Sequence, residues 1–266
     1  MNRLPAIALL TAVLLGTGSV LAAAPASAAP IDEGWIRLAH LSPDTKGVDV
    51  RVSALKGGTT LYRLDNVTYG AVSPYSALPG GTYTVSMVPT GSPTSTKPML
   101  SASVTVTAGH SSTVAAYGPN KKIAVTIYDD DLTVPTNGTA RIRLIQASTI
   151  APTVSVKTST GVPVASKAKR GTATGYAEVG AGPWTLDLTS TRTVRSTGAA
   201  VTTRGSAQVS LRQGSVTTLF VLDTADGGLT IQSVLDSASV GQDPVGGVQT
   251  GGGYLAAHSR AAVGPR

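Results

Sequence analysis

Three polar residues stand close enough in the chain to work together: His40, Asp44 and Asp49. An imidazole oriented by a carboxylate is the elementary general-base pair, so a hydrolase working at His40 and Asp49 is the first chemistry to weigh. That chemistry needs a nucleophile, and Gly109-His110-Ser111-Ser112 lacks the closing glycine of a nucleophile elbow and reads as a turn. The simpler reading is favoured, in which Asp44 bonds its own turn and His40 closes a loop end. His40, His110 and His258 are too scattered for a zinc site. Asp129-Asp130-Asp131 offers oxygen ligands to calcium, yet adjacent carboxylates project in different directions and the spaced ligands of a calcium loop are missing. Tyr69, Tyr75 and Tyr83, with Tyr176 and Trp184 further on, would suit stacking on sugars, but aromatics at strand starts more often fill a core or tie a corner. No catalytic residue, cofactor or metal ligand is assigned.

The elements that must position these residues are set by a repeat. Ile36-Arg-Leu-Ala-His-Leu-Ser-Pro-Asp-Thr-Lys-Gly-Val-Asp-Val-Arg-Val-Ser53 returns from Ile142 to Ser159, a shift of 106 residues. Tyr75 to Tyr83 answers to Tyr176 to Trp184, and Ser101 to Gly109 to Ser206 to Gly214. A shift of that size means two whole domains rather than short stacked repeats. Ile36, Leu38 and His40 alternate with Arg37 and Ala39, the period-two pattern of a half-buried strand, and Val48, Val50 and Val52 repeat it. A weaker strand is predicted from Leu61 to Val67 after the turn Lys56-Gly57-Gly58. A tight turn at Leu78 to Gly81 feeds the next strand, Val104 to Ala116 reads as a hairpin about Ala108-Gly109-His110, and Ile123 to Tyr128 closes the unit. About seven short strands per copy predict an all-β chain of two tandem antiparallel sandwiches, at 35–132 and 140–240, with linkers at 29–34 and 133–139. Beyond Val240 a Gly-rich tail, 241–266, loses all apolar periodicity.

Composition agrees, with 13% charged and 4% aromatic residues among 266, and 30 glycines. The absence of cysteine excludes disulfides, Fe–S clusters and thiolate zinc sites. The formal charge of +7 is uneven: residues 29–138 carry 8 basic and 8 acidic side chains, residues 139–240 carry 10 and 5. Nucleic-acid binding would want a basic stripe with interleaved aromatics, and Lys167-Ala-Lys169-Arg170 has none beside it. A solvated loop that favours an anionic surface is the better reading.

Met1-Asn-Arg3, the apolar run Leu4 to Leu21 and Ala26-Ser27-Ala28 read as a signal peptide, residues 1–28, cleaved after Ala28. Thr11, Thr17 and Ser19 interrupt the run, which argues against a retained transmembrane anchor. Asn66-Val-Thr68 and Asn137-Gly-Thr139 match the glycosylation sequon. Val245 to Gly251 faintly resembles a sorting signal without the hydrophobic stretch that should follow.

The run His40-Leu-Ser42-Pro43-Asp44 to Val50, with Tyr69-Gly-Ala-Val-Ser-Pro-Tyr75 and Leu78-Pro-Gly-Gly-Thr-Tyr83, resembles the bacterial extracellular domain family DUF4397, a domain of unknown function. The resemblance covers Ile36 to about Asp131. In the second copy Gln146 replaces His40, Thr149 replaces Pro43, Ile150 replaces Asp44 and Ser155 replaces Asp49. The resemblance implies an immunoglobulin- or transthyretin-like sandwich at a secreted or wall-associated site, with His40, Ser42, Pro43, Asp44, Asp49, Tyr69, Tyr75 and Tyr83 as motif residues of unassigned role. The expectation is a secreted, non-enzymatic protein that binds or structures cell-wall or surface polymer. Its rivals are the hydrolase above and a domain pair that presents the tail to a wall enzyme.

Overall fold

The computed structural model describes residues 32–54, 58–193 and 196–238. The signal peptide, the Lys56-Gly57 turn and the Gly-rich tail lie outside the described residues. Eight strands make the first half: β1 Glu33–Leu41, β2 Val48–Ala54, β3 Thr60–Val67, β4 Ser76–Pro79, β5 Gly81–Pro89, β6 Leu100–Val106, β7 Ser111–Tyr117 and β8 Ala124–Asp130. Eight make the second: β9 Thr139–Gln146, β10 Thr153–Thr158, β11 Pro163–Lys169, β12 Ala177–Gly180, β13 Gly182–Thr193, β14 Ala200–Leu211, β15 Val216–Asp223 and β16 Leu229–Ser237. A 3-10 turn at Asn120–Lys122 is the one helical element among the described residues.

The first half is a sandwich of two four-stranded sheets, ordered β4-β1-β7-β8 and β3-β2-β5-β6. In the second half the orders β12-β9-β15-β16 and β11-β10-β13-β14 recur, strand for strand, as the two ends of a single eight-stranded sheet. Valines dominate the first packing and leucines, with valines, the second. Ile36, Leu38, Val48, Val50, Val52, Val85, Val104, Val106 and Val114 fill the first interior, and Ile142, Leu144, Val154, Val156, Leu186, Leu188, Val209 and Leu219 the second. Alternation puts these residues on one face of each strand, and burial of that face against a second layer supplies the stability.

Four details depart from the sequence reading. Each half has an eighth strand, because Ser76–Pro79 pairs with β1 where only a turn was predicted. Val104 to Ala116 is no hairpin: β6 pairs with β5, while β7 crosses to the other sheet beside β1. The Gly109 N–H donates to the Glu33 carbonyl and the Trp35 N–H to the His110 carbonyl, so the connection is pinned to β1 instead of folding back. Pairing is not purely antiparallel, since β1 runs parallel to β7, β9 to β15 and β14 to β16. Nor is β1 half-buried. Arg37, Ala39 and Leu41 are as buried as Ile36 and Leu38, because the second half covers the outer face of β1.

The fused sheet of the second half rests on one glycine. Gly205 of β14 sits opposite Leu229 of β16, and a Cβ there would lie 1.9 Å from the Leu229 carbonyl oxygen. The residue in the same register of the first half is Leu100, whose side chain packs against the first core, and there β6 and β8 lie in separate sheets. Gly205→Val is therefore expected to break the β14–β16 joint and lower stability by about 2–4 kcal/mol, the range for a core overpacking that also costs backbone pairing. Hydrogen exchange should localise the loss to the amides around Leu229, and unchanged protection there would refute this account of the joint.

Candidate functional site

The densest polar cluster is buried between the halves and is built twice. Arg37 on β1 and Arg143 on β9 occupy the same place in the repeat, as do Thr113 and Thr218, Asp130 and Asp236, and Tyr75 and Tyr176. Each arginine reaches across. Arg37 Nη1 lies 2.7 Å from Asp236 Oδ1, and Arg143 Nη2 meets Asp130 Oδ1. The Arg37–Asp236 approach is off the line of a hydrogen bond, so it is a charge contact. The threonines stitch the two pairs together. Thr113 Oγ1 accepts from Arg37 Nε at 2.7 Å and donates to Asp130 at 2.6 Å, while Thr218 Oγ1 accepts from Arg143 Nε at 3.0 Å and Arg37 Nη2 at 3.1 Å and donates to Asp236 at 2.6 Å. Each guanidinium also lies over its own half's tyrosine, Arg37 at 4.8 Å from the Tyr75 ring centre and Arg143 at 4.9 Å from that of Tyr176. The Tyr75 hydroxyl donates to Asp130, and that of Tyr176 to Asp236 at 3.4 Å.

Burial alone would make Arg37 easier to deprotonate, but Asp236, Tyr75 and Asp130 together hold its proton more firmly than usual. The same burial pushes the Asp236 carboxyl up from its ordinary value against the pull of Arg37 and Thr218. Burial also raises the Tyr75 and Tyr176 hydroxyls. The charges are paired and enclosed, which suits a lock between two surfaces. Around it pack Ala39, Leu41, Ala115, Tyr128, Ile145, Ala147, Phe220 and Leu222. Tyr69 joins the seam, because its hydroxyl accepts from the Asp223 N–H at 2.7 Å and faces the Asp223 carbonyl; burial pushes this phenol up to about 12. Gly171 lets the second half approach Tyr117 so closely that a Cβ would sit 2.2 Å from its hydroxyl.

The motif residues otherwise go separate ways. His40 points into the interior of the first sandwich, beside a cavity of about 20 Å³ lined by Leu38, Val67, Met87, Leu100 and Val125. Both its ring nitrogens are buried without a hydrogen-bond partner. Burial holds the imidazole below its ordinary value, and the nearby backbone of Thr45 and Lys46 opposes this only in part. In the second half the same place is taken by Gln146, which donates to the Ala151 carbonyl at 2.7 Å and accepts from the Ser148 N–H at 2.6 Å, bracing its loop. Pro43 and Asp44 form the turn after β1. Asp44 accepts from the Asn120 N–H at 2.7 Å, and Ser42 and Thr45 share a hydroxyl contact of 2.7 Å. Asp49 accepts from the N–H groups of Asn66 at 3.0 Å and Gly91 at 3.2 Å and pairs with Arg63 at 3.2 Å; these backbone bonds keep its carboxyl below the usual range. His40 and the two aspartates are thus not brought together. Tyr83 ties a corner by donating to the Pro79 carbonyl at 2.7 Å, and Trp184 does the same to Gly180 at 3.1 Å. The three adjacent aspartates diverge: Asp130 turns into the seam, and Asp131 pairs with Arg141 at 2.6 Å, which holds its carboxyl well below the usual carboxylate range. Among the described residues no group of His, Asp or Glu converges as a metal site.

Sequence reasoning passed over Arg37, Arg143, Thr113, Thr218 and Asp236. The available signal was a charged residue kept at one step of an apolar strand in both copies, where a solvent-facing position had no reason to repeat it.

The profile of the family described as Domain of unknown function (DUF4397) matches residues 34–157, so a DUF4397 domain is present there. The match runs past the joint between the halves and into β10, further than the motifs at Ile36 to Asp131. It takes in Arg37, Tyr75, Thr113, Asp130 and Arg143 and leaves out Tyr176, Thr218 and Asp236. No curated protein matches the chain. Among solved structures the chain is similar to the Bacillus anthracis TIE protein, at 11% identity and a TM-score of 0.24, over 75% of this chain and 34% of that one. The chain spans about a third of the length of that protein.

Removing one partner of a buried pair leaves the other charge stranded. Arg37→Met is expected to cost about 3–5 kcal/mol, and Arg37→Met with Asp236→Leu to recover most of it. Urea denaturation of the three proteins checks this; equal losses in the single and double variants would show that the pair is not the lock. His40 gives a separate test. Because burial lowers its value in the folded state, the unfolded chain takes up a proton first once pH falls below 6.5, and stability drops from there downward. The loss is about 1.4 kcal/mol for each unit separating the two values, and His40→Gln is expected to remove that slope.

Proposed function

We propose that this protein is exported and acts without catalysis, as a rigid double sandwich that binds or structures polymer at a cell surface. The observation that carries the reading is the fate of its polar motif residues. Asp44, Asp49, Tyr69, Tyr75 and Tyr83 are each engaged by backbone or by a buried partner, and His40 lies inside a core. Side chains held this way fix loops and surfaces in place, and none of them is brought together with another as a reacting pair. The DUF4397 domain at 34–157 and the signal-like opening of the sequence support an extracellular setting. The matching strand orders support reading the second half as a diverged copy of the same unit, in tandem with the first. Among the described residues no helix is long and apolar enough to cross a membrane. On this reading the segment 241–266 serves as a spacer.

Retention of the purified chain on isolated cell walls, with and without calcium, tests the proposal. Retention without any need for calcium is the expected result. A chain that washes through, or that hydrolyses polysaccharide, ester or peptide substrates in a way that His40→Ala abolishes, would replace this reading with another.

A further inference from the structure

Resting on that surface-binding reading, we infer that the outer face of the β11-β10-β13-β14 end of the second half is the binding surface, and that its ligand is an anionic polysaccharide. The register places the residues. Val154, Val156, Leu186, Leu188 and Val209 face the core, so their neighbours along each strand face outward. Lys169 stands opposite Thr153, Lys157 opposite Asp187, and Arg204 opposite Thr189. Directly opposed residues share a face, so three cations project from one surface that spans three strand spacings, about 15 Å. A bulge in β11 adds Lys167, whose φ of +49° turns the strand there while its N–H bonds the Ser155 hydroxyl at 3.0 Å. Lys157, Lys167, Lys169 and Arg204 are all exposed, and none forms an ion pair among the described residues. Asp187 is the one acidic residue among those placed on the face.

The first half shows what this face looks like when it is closed. The counterpart of Lys157 is Arg51, which donates to the Thr94 carbonyl at 3.0 Å and faces that of Pro93, so the loop after β5 folds back over the sheet. The counterpart of Ser155 is Asp49, already neutralised by Arg63. In the second half β13 and β14 stay paired as far as Thr193 and Ala200, and Lys157 and Arg204 on this face remain exposed. Between the cations lie Thr153, Ser155 and Thr189, with Ser206, Gln208 and Ser210 exposed further along β14. Hydroxyl and amide groups spaced between unpaired cations suit a chain that carries both sugar hydroxyls and repeated negative charge. No aromatic platform for nucleic-acid bases lies on the face.

The test uses fluorescently labelled polygalacturonate, with neutral dextran and single-stranded DNA beside it, and the full chain carrying Lys157→Glu and Arg204→Glu. Both residues are exposed, and an unchanged melting curve confirms that the variant folds. Polygalacturonate binding by the wild type should weaken steeply between about 50 and 200 mM salt, as expected for displaced counterions. The double variant should lose at least about tenfold in affinity and flatten that salt dependence, whereas Arg51→Glu in the first half should shift it less than about twofold. Dextran bound as well as polygalacturonate, DNA bound more tightly than either glycan, or a double variant that binds like the wild type would each overturn the assignment. Wall retention that survives in the double variant would refute this face and leave the surface reading intact. Loss of wall retention in the wild type would count against that reading instead.

Discussion

Two arginines, each reaching out of its own half to an aspartate of the other, set the terms for the whole molecule. A guanidinium in a protein interior is tolerable only where charge and hydrogen-bond partners surround it, and here each half supplies what the other's arginine lacks. The arrangement is that of a symmetric dimer interface contained in one chain, in which residue and partner exchange places across an approximate twofold relation. Once the arginines are committed inward, β1 and β9 must be covered on both faces. The seam of Phe220, Leu222, Tyr128 and Ile145 follows from that requirement.

With the halves fixed against one another, the loops carrying the DUF4397 motifs become braces. Asp49 gathers the β3 and β5 loop ends, Asp44 holds the chain after β7, and Tyr69 reaches over to Asp223. Substitutions in the second copy read sensibly in this light. Gln146 bonds two backbone groups where His40 bonds none, and Asp223 takes over loop bracing by accepting from Ser148 and Thr149. One copy keeps a buried imidazole in an apolar interior while the other replaces it with a satisfied amide. The two halves therefore differ in how their cores respond to acid although their strands follow the same path.

Much of the fold was legible in the valines, because period-two alternation reports directly which face of a strand is covered. It could not report a second covering. Arg37 and Ala39 looked like solvent-facing residues, and the layer that buries them comes from the second half, with Thr218 lying 181 residues beyond Arg37 in the chain. The turn at Gly109 was legible as a turn, but a tight reversal and a crossing between sheets need the same glycine, and the bonds that decide between them go to Glu33 and Trp35. For the tyrosines the sequence allowed either core filling or a corner tie: Tyr83 ties a corner to a partner four residues away, which is local enough to read. Tyr75 is buried, but its partner Asp130 is distant in sequence and meaningful only beside Arg143, so its pairing could not be read. Local chemistry was readable; pairings across the seam were not.

The glycine that fuses the second half's sheets also changes how many unpaired strand borders the chain offers to its neighbours. The first half ends its two sheets in β3, β4, β6 and β8, four borders with no further strand beside them, whereas the joined sheet ends only in β11 and β12. Such borders are where separate molecules add to one another strand by strand, and charged or bulged ones discourage it. β11 has both a bulge and its lysines. Any self-assembly of this protein into filaments or aggregates is thus expected to begin from the first half.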